Sequence, residues 1–271
     1  MDYLYSTILG LIQGLTEVFP VSSSGHLVIA HDLLNFDFVS DLSFDVALHL
    51  GTLLSLIVYF FKDICKYIVS FFSSFANWDL KNNLDQRMAW YILVSTIPAG
   101  IAGFFMADLA EELLRNLWLV ASMLILFGIF FIVFEKIFKK EKELNQLSWF
   151  GAIHIGVAQA IALIPGVSRS GITIITGLAQ GLKREAAARF SFLLSIPIVF
   201  GAGLKKMYDV SKIGLENDQW LILGVGFIVS AVVGYIAIRF LLKFLQNNPL
   251  NIFAYYRFVL AGVIIIYLLV R

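Results

Sequence analysis

Long apolar stretches, separated by short polar connections, account for most of the chain. A helix needs about 20 mainly apolar residues to cross a bilayer, and six stretches approach this length. They lie at 44–61, 89–106, 117–135, 188–204, 220–242 and 252–270. Two further apolar stretches, 8–34 and 149–182, are interrupted midway by proline, serine and glycine. The pattern therefore predicts about six transmembrane helices and two interrupted segments.

The interrupted segments carry polar residues at their centres. Residues 20–25 read Pro-Val-Ser-Ser-Ser-Gly, and residues 165–171 read Pro-Gly-Val-Ser-Arg-Ser-Gly. Non-helical backbone persists at membrane depth only where it is buried in protein or lines a water-filled cavity. We therefore expect each segment to form a re-entrant helical hairpin whose turn lies inside the membrane.

Lys and Arg side chains predict how these elements are oriented, because they are enriched in cytoplasmic loops. The loops assigned to the cytoplasm carry Lys62, Lys66, Lys81, Arg87, Lys136, Lys139, Lys140, Lys142, Lys183, Arg184 and Lys243. The opposite side carries fewer basic residues, namely Arg115, Lys205, Lys206, Lys212 and Arg271. On this assignment both termini lie outside and the hairpins enter from opposite faces, which is typical of an inverted-topology repeat.

The two hairpins are also related in sequence. A shift of 146 positions, the separation of Gln13 from Gln159, superposes them without a gap. The aligned pairs are Gln13 and Gln159, Val21 and Val167, Ser22 and Ser168, Ser24 and Ser170, and Gly25 and Gly171. Each hairpin is followed by a span that contains a proline, Pro98 in one case and Pro197 in the other.

Composition supports a membrane protein and excludes other classes. The chain has 271 residues, of which 59% are hydrophobic and 14% charged, whereas soluble domains are about half apolar and about a quarter charged. The net charge of +1 provides no basic field for nucleic acid. The single cysteine, Cys65, excludes an intrachain disulfide and a cysteine-based metal cluster. The expected fold is an all-α polytopic membrane protein, with an inverted-topology repeat of about 1–135 and 144–271 inside one integral membrane domain, 1–271.

The two hairpins differ in the positions of their charged and histidine side chains, which are the groups that could take part in chemistry. Glu17 and His26 belong to the first hairpin, and Arg169 belongs to the second, at the position of Ser23. Ionisable groups within a membrane segment are candidates for function by default. We predict one composite site near the bilayer midplane, with the catalytic candidates Glu17, Ser23, His26 and Arg169.

Serine hydroxyls and glycine-permitted turns at the start of a helix form an anion site, and the fork of Arg169 matches phosphate oxygens. The candidate binding residues are Gln13, Ser22, Ser24, Gly25, Ser168, Ser170, Gly171 and Thr173.

Gln13 and Glu17, one helical turn apart, also suit a hard cation such as Mg²⁺ or Ca²⁺. A purely structural ion pair of Glu17 with Arg169 is the alternative. The residues alone leave hydrolysis and transport of a phosphate-bearing substrate both open.

Histidine is the natural acid–base residue near neutral pH, and four are present. His26 adjoins the polar cluster and is the candidate for catalysis. His31, at the hairpin exit, is expected to be interfacial, and His49 and His154 are expected to have structural roles.

Four segments carry a resemblance to a known family. They are 13–17 (Gln-Gly-Leu-Thr-Glu), 20–26, 44–52 (Phe-Asp-Val-Ala-Leu-His-Leu-Gly-Thr) and 165–171. Together they resemble the undecaprenyl-diphosphate phosphatases of the bacitracin-resistance (BacA) type. The resemblance implies hydrolysis of the C55 lipid diphosphate to the monophosphate, which recycles the carrier for cell-wall synthesis. It also implies a divalent cation, the bacterial inner membrane, and an active site that opens to the extracytoplasmic side.

The resemblance suggests a role for each site residue. Arg169, with Ser168, Ser170 and Thr173, would hold the diphosphate. Glu17, aided by Gln13, would position the cation or act as a base; the family pattern has Glu or Gln at this first position, so Gln13 favours a role for a single carboxylate. Ser23 or His26 would be the nucleophile or would activate it, and direct attack by water stays open.

Two other function classes compete with hydrolysis. A transporter or flippase of a phosphorylated polyprenyl lipid is the main alternative, because inverted repeats with broken helices are common in transporters. A structural scaffold is harder to reconcile with Arg169 at membrane depth. The small-residue stretch 224–234 could pack helices within one chain or between two copies, so a homodimer is possible.

Overall fold

The computed structural model describes residues 1–34, 41–114, 116–213 and 216–270. Arg115 and Arg271, used above to orient the loops, lie outside them. The helices are α1 (Asp2–Val18), α2 (Ser23–Leu34), α3 (Asp41–Tyr59), α4 (Phe61–Ser74), α5 (Leu84–Leu114), α6 (Leu117–Ile137), α7 (Trp149–Ile161), α8 (Arg169–Ala179), α9 (Arg184–Ile213), α10 (Asn217–Asn247) and α11 (Asn251–Val270). A short 3-10 turn covers Leu144–Gln146. The described residues contain no strand, which confirms the all-α prediction.

The long helices coincide with the predicted spans. Helices α5, α6, α9, α10 and α11 are each long and apolar enough to cross a membrane, and α3 with α4 makes a sixth candidate if that bent pair is counted as one span. The prediction of a polytopic membrane protein with about six spans is therefore confirmed.

Helix α4 was not predicted as a separate element. The chain turns by 78° between α3 and α4. Phe61, Ile68 and Phe72 of α4 are exposed, and so are Lys62 and Lys66. Apolar and basic side chains on one short helix are typical of helices that lie in the membrane interface.

The interrupted segments form two helical hairpins, as predicted. Residues 19–22 join α1 to α2, and residues 162–168 join α7 to α8. Each first arm packs on a long helix of the other half, α1 on α10 and α7 on α5, while α6 packs on α11. Such an exchange is what two equivalent halves would produce. The opposed orientation of the halves in a bilayer stays a prediction.

One part of the repeat prediction is not supported. Pro98 lies inside α5 and Pro197 inside α9. Helix α9 follows its hairpin directly, whereas α3 and α4 stand between the first hairpin and α5. The two prolines therefore do not occupy equivalent places in the order of elements.

Glycines allow helix backbones to approach closely. A Cβ atom on Gly226 would lie 2.8 Å from Leu48 of α3, and one on Gly234 would lie 2.7 Å from Ser55 of the same helix. The small residues at these two positions of 224–234 thus serve packing within the chain. A Cβ atom on Gly156 would lie 2.3 Å from the carbonyl oxygen of Ser95, where α7 crosses α5.

We predict that Gly156→Ala destabilises the protein, because the new methyl group would meet helix backbone that cannot rotate away. Overpacking of this kind costs about 1–3 kcal/mol, measurable as a lower free energy of unfolding in a detergent titration. Gly103→Ala in α5 is the control, since no atom lies within 4 Å of its added Cβ. Equal losses in both variants would contradict the close α5–α7 approach.

Candidate active site

The hairpin turns share an unusual backbone conformation. Ser22 and Ser168 both have φ of 73°, although neither residue is a glycine. Positive φ is uncommon for a residue with a side chain and costs about 1–3 kcal/mol, which surrounding structure must supply. Such strain clusters at functional sites. The same φ recurs at positions that the sequence alignment paired, so the two turns are alike in local geometry.

These serines also start the second arm of each hairpin. The Oγ of Ser22 accepts a hydrogen bond from the Gly25 N–H at 3.4 Å, and the Oγ of Ser168 accepts one from Gly171 at 3.2 Å. Each Oγ lies 3.2 Å or 3.3 Å from the hydroxyl two residues later. Two short helices therefore begin beside one another with serine hydroxyls at their N-terminal ends, where backbone dipoles favour an anion.

Glu17, near the end of α1, stands at the centre of the polar cluster. Its Oε1 accepts a hydrogen bond from Arg169 Nη2 at 2.5 Å, and its Oε2 accepts one from the Ser23 hydroxyl at 2.6 Å. Gln13 Nε2 donates to the same Oε2 at 3.3 Å, and His49 Nε2 lies 3.6 Å from it. The two hairpins thus meet through a carboxylate–guanidinium pair, as the composite-site prediction required.

A polar cavity of about 160 Å³ opens at this pair. It is lined by Thr16, Glu17, Ser22, Ser23, Ser24, His49, Ala162, Ser168, Arg169 and Ser170. Seven of the predicted site residues therefore line one cavity, namely Glu17, Ser22, Ser23, Ser24, Ser168, Arg169 and Ser170. A water molecule occupies about 30 Å³ in the liquid, so the cavity is large enough for a phosphoryl group with some water.

Arg169 has one donor group to spare. Its Nη2 is engaged by Glu17, but its buried Nη1 has no hydrogen-bond partner within the described residues. Buried polar groups without partners are rare in folded proteins. Since the residue lines the cavity, this N–H group is suited to bind an anion that enters.

His26 does not line the cavity, which differs from the prediction. Its Nδ1 donates to the backbone carbonyl of Ser22 at 2.8 Å, so Nε2 accepts from the hydroxyl of Tyr256 at 2.8 Å. The two rings are stacked, with centroids 5.6 Å apart. Adjacency in sequence was misleading here, because one helical turn beyond Ser22 places the imidazole against α11 instead.

His49 occupies the cavity where His26 was expected. Its Nδ1 lies 2.7 Å from the backbone carbonyl of Asp45 and donates to it. Its other ring nitrogen, Nε2, therefore faces the carboxylate of Glu17. Sequence reasoning assigned His49 a structural role. The signal that pointed the other way was its position in the segment 44–52, which is one of the four that carry the family resemblance.

The remaining predicted residues lie behind the cavity. The Thr173 hydroxyl donates to the carbonyl of Arg169 at 2.8 Å and lies 2.6 Å from the Ser191 hydroxyl. A Cβ atom on Gly25 would lie 3.2 Å from Val120, so this glycine lets the hairpin pack closely on α6. Gly171 is buried beside Ser168, and Gln13 is buried behind Glu17. Thr173, Gly25 and Gly171 therefore support the hairpin turns, and Gln13 supports the Glu17 carboxylate, without lining the cavity themselves.

Comparison with known proteins agrees with this geometry. A family model described as bacitracin resistance protein BacA matches residues 6–263. The chain belongs to the BacA family. A relative from Rubrobacter xylanophilus is 45% identical over 267 residues, 97% of each chain. One from Trichlorobacter lovleyi is 47% identical over 264 residues, covering 97% of this chain and 96% of the relative. One from Thermodesulfovibrio yellowstonii is 47% identical over 266 residues, 97% of each.

Each of these three BacA-family relatives bears the name undecaprenyl-diphosphatase. The matched region includes both hairpins, so the family resemblance indicated by the motifs is confirmed. Together with the apolar helices, the bacterial relatives identify a multi-pass protein of the bacterial cell membrane.

The donor atoms of this BacA-family site limit how a metal ion could bind. Within the described residues, no group of three or more His, Cys, Asp or Glu side chains could hold a metal ion. Among the described residues, Glu17 is the single carboxylate that lines the cavity, and Arg169 already pairs with it. Mg²⁺ is commonly bound by one or two carboxylates together with substrate phosphates. The residues therefore fit a divalent cation only as the companion of a phosphate-bearing substrate.

Proposed function

We propose that the protein hydrolyses undecaprenyl diphosphate to undecaprenyl phosphate and inorganic phosphate. The observation that carries the proposal is the carboxylate of Glu17, which contacts the Ser23 hydroxyl and the Arg169 guanidinium at once. A base, a hydroxyl nucleophile and a fixed positive charge then share one cavity in a chain that is otherwise strongly apolar. Membership of the BacA family and the names of the relatives support the same substrate.

Binding of the diphosphate follows from the free donors. The unpaired Nη1 of Arg169 and the hydroxyls of Ser168 and Ser170 would hold phosphate oxygens, because charge-assisted bonds from a guanidinium are the strongest available. The N-terminal ends of α2 and α8 add favourable dipoles. The polyprenyl tail would lie among the apolar helices, which keeps the head group at the cavity.

Two routes of phosphoryl transfer are compatible with the contacts. In the first, the Ser23 Oγ attacks the terminal phosphorus while Glu17 takes its proton; the bond to the bridging oxygen breaks, and undecaprenyl phosphate leaves. Water then attacks the phosphoserine, releasing phosphate and restoring Ser23. In the second, Glu17 activates a water molecule that attacks directly. In both, Arg169 stabilises the charge on the transferred group.

The site would open to the extracytoplasmic side. The support is the distribution of basic residues, from which we expect the first hairpin to enter the membrane from that face. A flippase or transporter would need the same anion-binding groups. It would not need a hydroxyl hydrogen-bonded to a buried carboxylate, and the Ser23–Glu17 contact therefore favours hydrolysis.

We expect purified protein to release phosphate from undecaprenyl diphosphate, and Arg169→Ala and Glu17→Gln to lower kcat at least about 100-fold, the loss typical of removing a group that stabilises the transition state. Phosphate release in detergent is the measurement. Arg189→Ala is the matched control, because Arg189 pairs with Asp63 at 2.6 Å outside the cavity.

Activity that survives both site substitutions would contradict the site assignment. Absence of phosphate release from the unaltered protein, combined with movement of the lipid between leaflets of a vesicle, would instead favour the transporter.

The structure predicts different outcomes for the two histidines. His49→Gln should lower kcat about 100-fold, at the lower end of the range for general acid–base catalysis, because His49 lines the cavity beside Glu17. His26→Gln replaces the same ring outside the cavity and should change kcat by less than about tenfold. The reverse order of effects would show that His26, not His49, serves the reaction.

We also propose that a divalent cation, Mg²⁺ or Ca²⁺, accompanies the diphosphate, with Glu17 and Gln13 as its protein ligands. When bound, the cation would neutralise charge on the substrate oxygens. EDTA should then abolish phosphate release. Gln13→Glu adds a carboxylate and should lower the Mg²⁺ concentration for half-maximal activity about tenfold, since ligand charge sets affinity for hard cations. Full activity in EDTA would exclude the cation.

A further inference from the structure

Arg257 of α11 is a buried cation that the proposed chemistry does not use. Its side chain is completely buried, and no carboxylate pairs with it among the described residues. An unpaired charge in a protein interior costs several kcal/mol unless hydrogen bonds compensate it. Residues of this kind inside a membrane segment usually serve a function.

Backbone carbonyl groups surround this guanidinium instead. Nη2 donates to the carbonyl of Gly166 at 2.7 Å, and Nη1 donates to that of Pro20 at 3.3 Å. Two carbonyls of α6, those of Met123 and Leu124, also accept bonds of 3.3 Å. The cation also lies over the ring of Phe131, 5.3 Å from its centroid.

Two of the four carbonyl partners, those of Pro20 and Gly166, belong to the turns of the hairpins. Pro20 precedes Ser22 and Ser23, and Gly166 precedes Ser168 and Arg169. Neither carbonyl accepts a backbone hydrogen bond in the loops and turns described here, which is expected where a helix is broken. One side chain therefore satisfies a backbone carbonyl group in each turn, where the break in the helix leaves that group without its usual partner.

The fit around Gly166 is tight. This residue has φ of +89°, and a Cβ atom there would lie 2.6 Å from the carbonyl of Val120. The second turn is thus pressed against α6 at the point where Arg257 bonds it. A shift of the Arg257 guanidinium would therefore move the Gly166 carbonyl, and with it the backbone that leads to Ser168.

We propose that Arg257 is a positioning residue that fixes the two hairpin turns relative to each other and to α6. Through Pro20 it holds the turn that presents Ser23, and through Gly166 it holds the turn that presents Arg169. It acts on the reaction only through the spacing of these groups. The kinetic part of the proposal rests on the phosphatase function proposed above; the structural part does not.

Two substitutions test the kinetic part. Arg257→Lys keeps the charge but cannot reach both turns with one fork, and Arg257→Met keeps the bulk without donors. A misplacement of about 1 Å can lower a rate about 100-fold. We therefore expect kcat to fall about tenfold in the Lys variant and about 100-fold in the Met variant, with KM within about twofold.

Arg87→Lys is the matched control. The Arg87 guanidinium also donates to a backbone carbonyl, that of Asn145 at 2.8 Å. Both residues are far from the hairpin turns in sequence, and neither lines the cavity. This variant should leave kcat unchanged. A comparable fall in kcat in the control would overturn the assignment of a special role to Arg257.

A spectroscopic measurement tests the structural part without reference to activity. Pro20-Val21 is the single Pro-Val step in the sequence, so protein with ¹³C-carbonyl proline and ¹⁵N valine gives one carbonyl–amide NMR correlation. Loss of the hydrogen bond from Arg257 should move the Pro20 carbonyl resonance upfield in the Lys and Met variants. Arg87→Lys should leave it in place.

The outcomes separate the two proposals. A Pro20 resonance that does not move in either Arg257 variant overturns the positioning role, whatever the kinetics. A resonance that moves in protein that releases no phosphate, even when unaltered, supports the structural part while the proposed function fails. If the Met variant does not fold, the Lys variant and its resonance still decide.

Discussion

The ion pair between Glu17 and Arg169 is the interaction on which the site depends, because it joins two hairpins that are otherwise separate parts of the chain. A buried carboxylate or guanidinium alone would be costly at membrane depth. Together they allow a polar cavity to exist inside an apolar bundle. The strained turns at Ser22 and Ser168, the glycines behind them and the hydroxyls beside them all serve to bring this pair to one place.

Close helix packing supplies the rigidity that the ion pair needs. Glycines let α1 approach α10 and let α7 approach α5, with backbone distances that leave no room for a methyl group. Each hairpin is therefore held by a helix of the other half. The Glu17–Arg169 ion pair and the close helix contacts depend on each other. Loss of the ion pair would destabilise the turns, and larger side chains at the glycine positions would move the two charged residues apart.

Sequence reasoning predicted the spans from the length of the apolar stretches and the two hairpins from the polar residues that interrupt them. It predicted the contact of Glu17 with Arg169 because charged residues are rare inside membrane segments. Sequence reasoning placed His26 in the site because His26 adjoins the serines in sequence. In the structure the His26 ring packs against Tyr256 of α11, and His49 of α3 lines the cavity instead. Arg257, a charged residue inside the predicted span 252–270, was not singled out although its position was a signal. Its partners are backbone carbonyls, which every residue possesses, so only the folded chain reveals them. Helix α4 was missed because it is short and amphipathic.

The separation of Glu17 from Arg169 along the chain, 152 residues, has a consequence for biosynthesis. The first hairpin is therefore synthesised long before its counter-ion, Arg169. The last described helix then brings the guanidinium that bonds both turns. The contacts that join both hairpin turns, α6 and α11 can thus form only after nearly the whole chain has been synthesised.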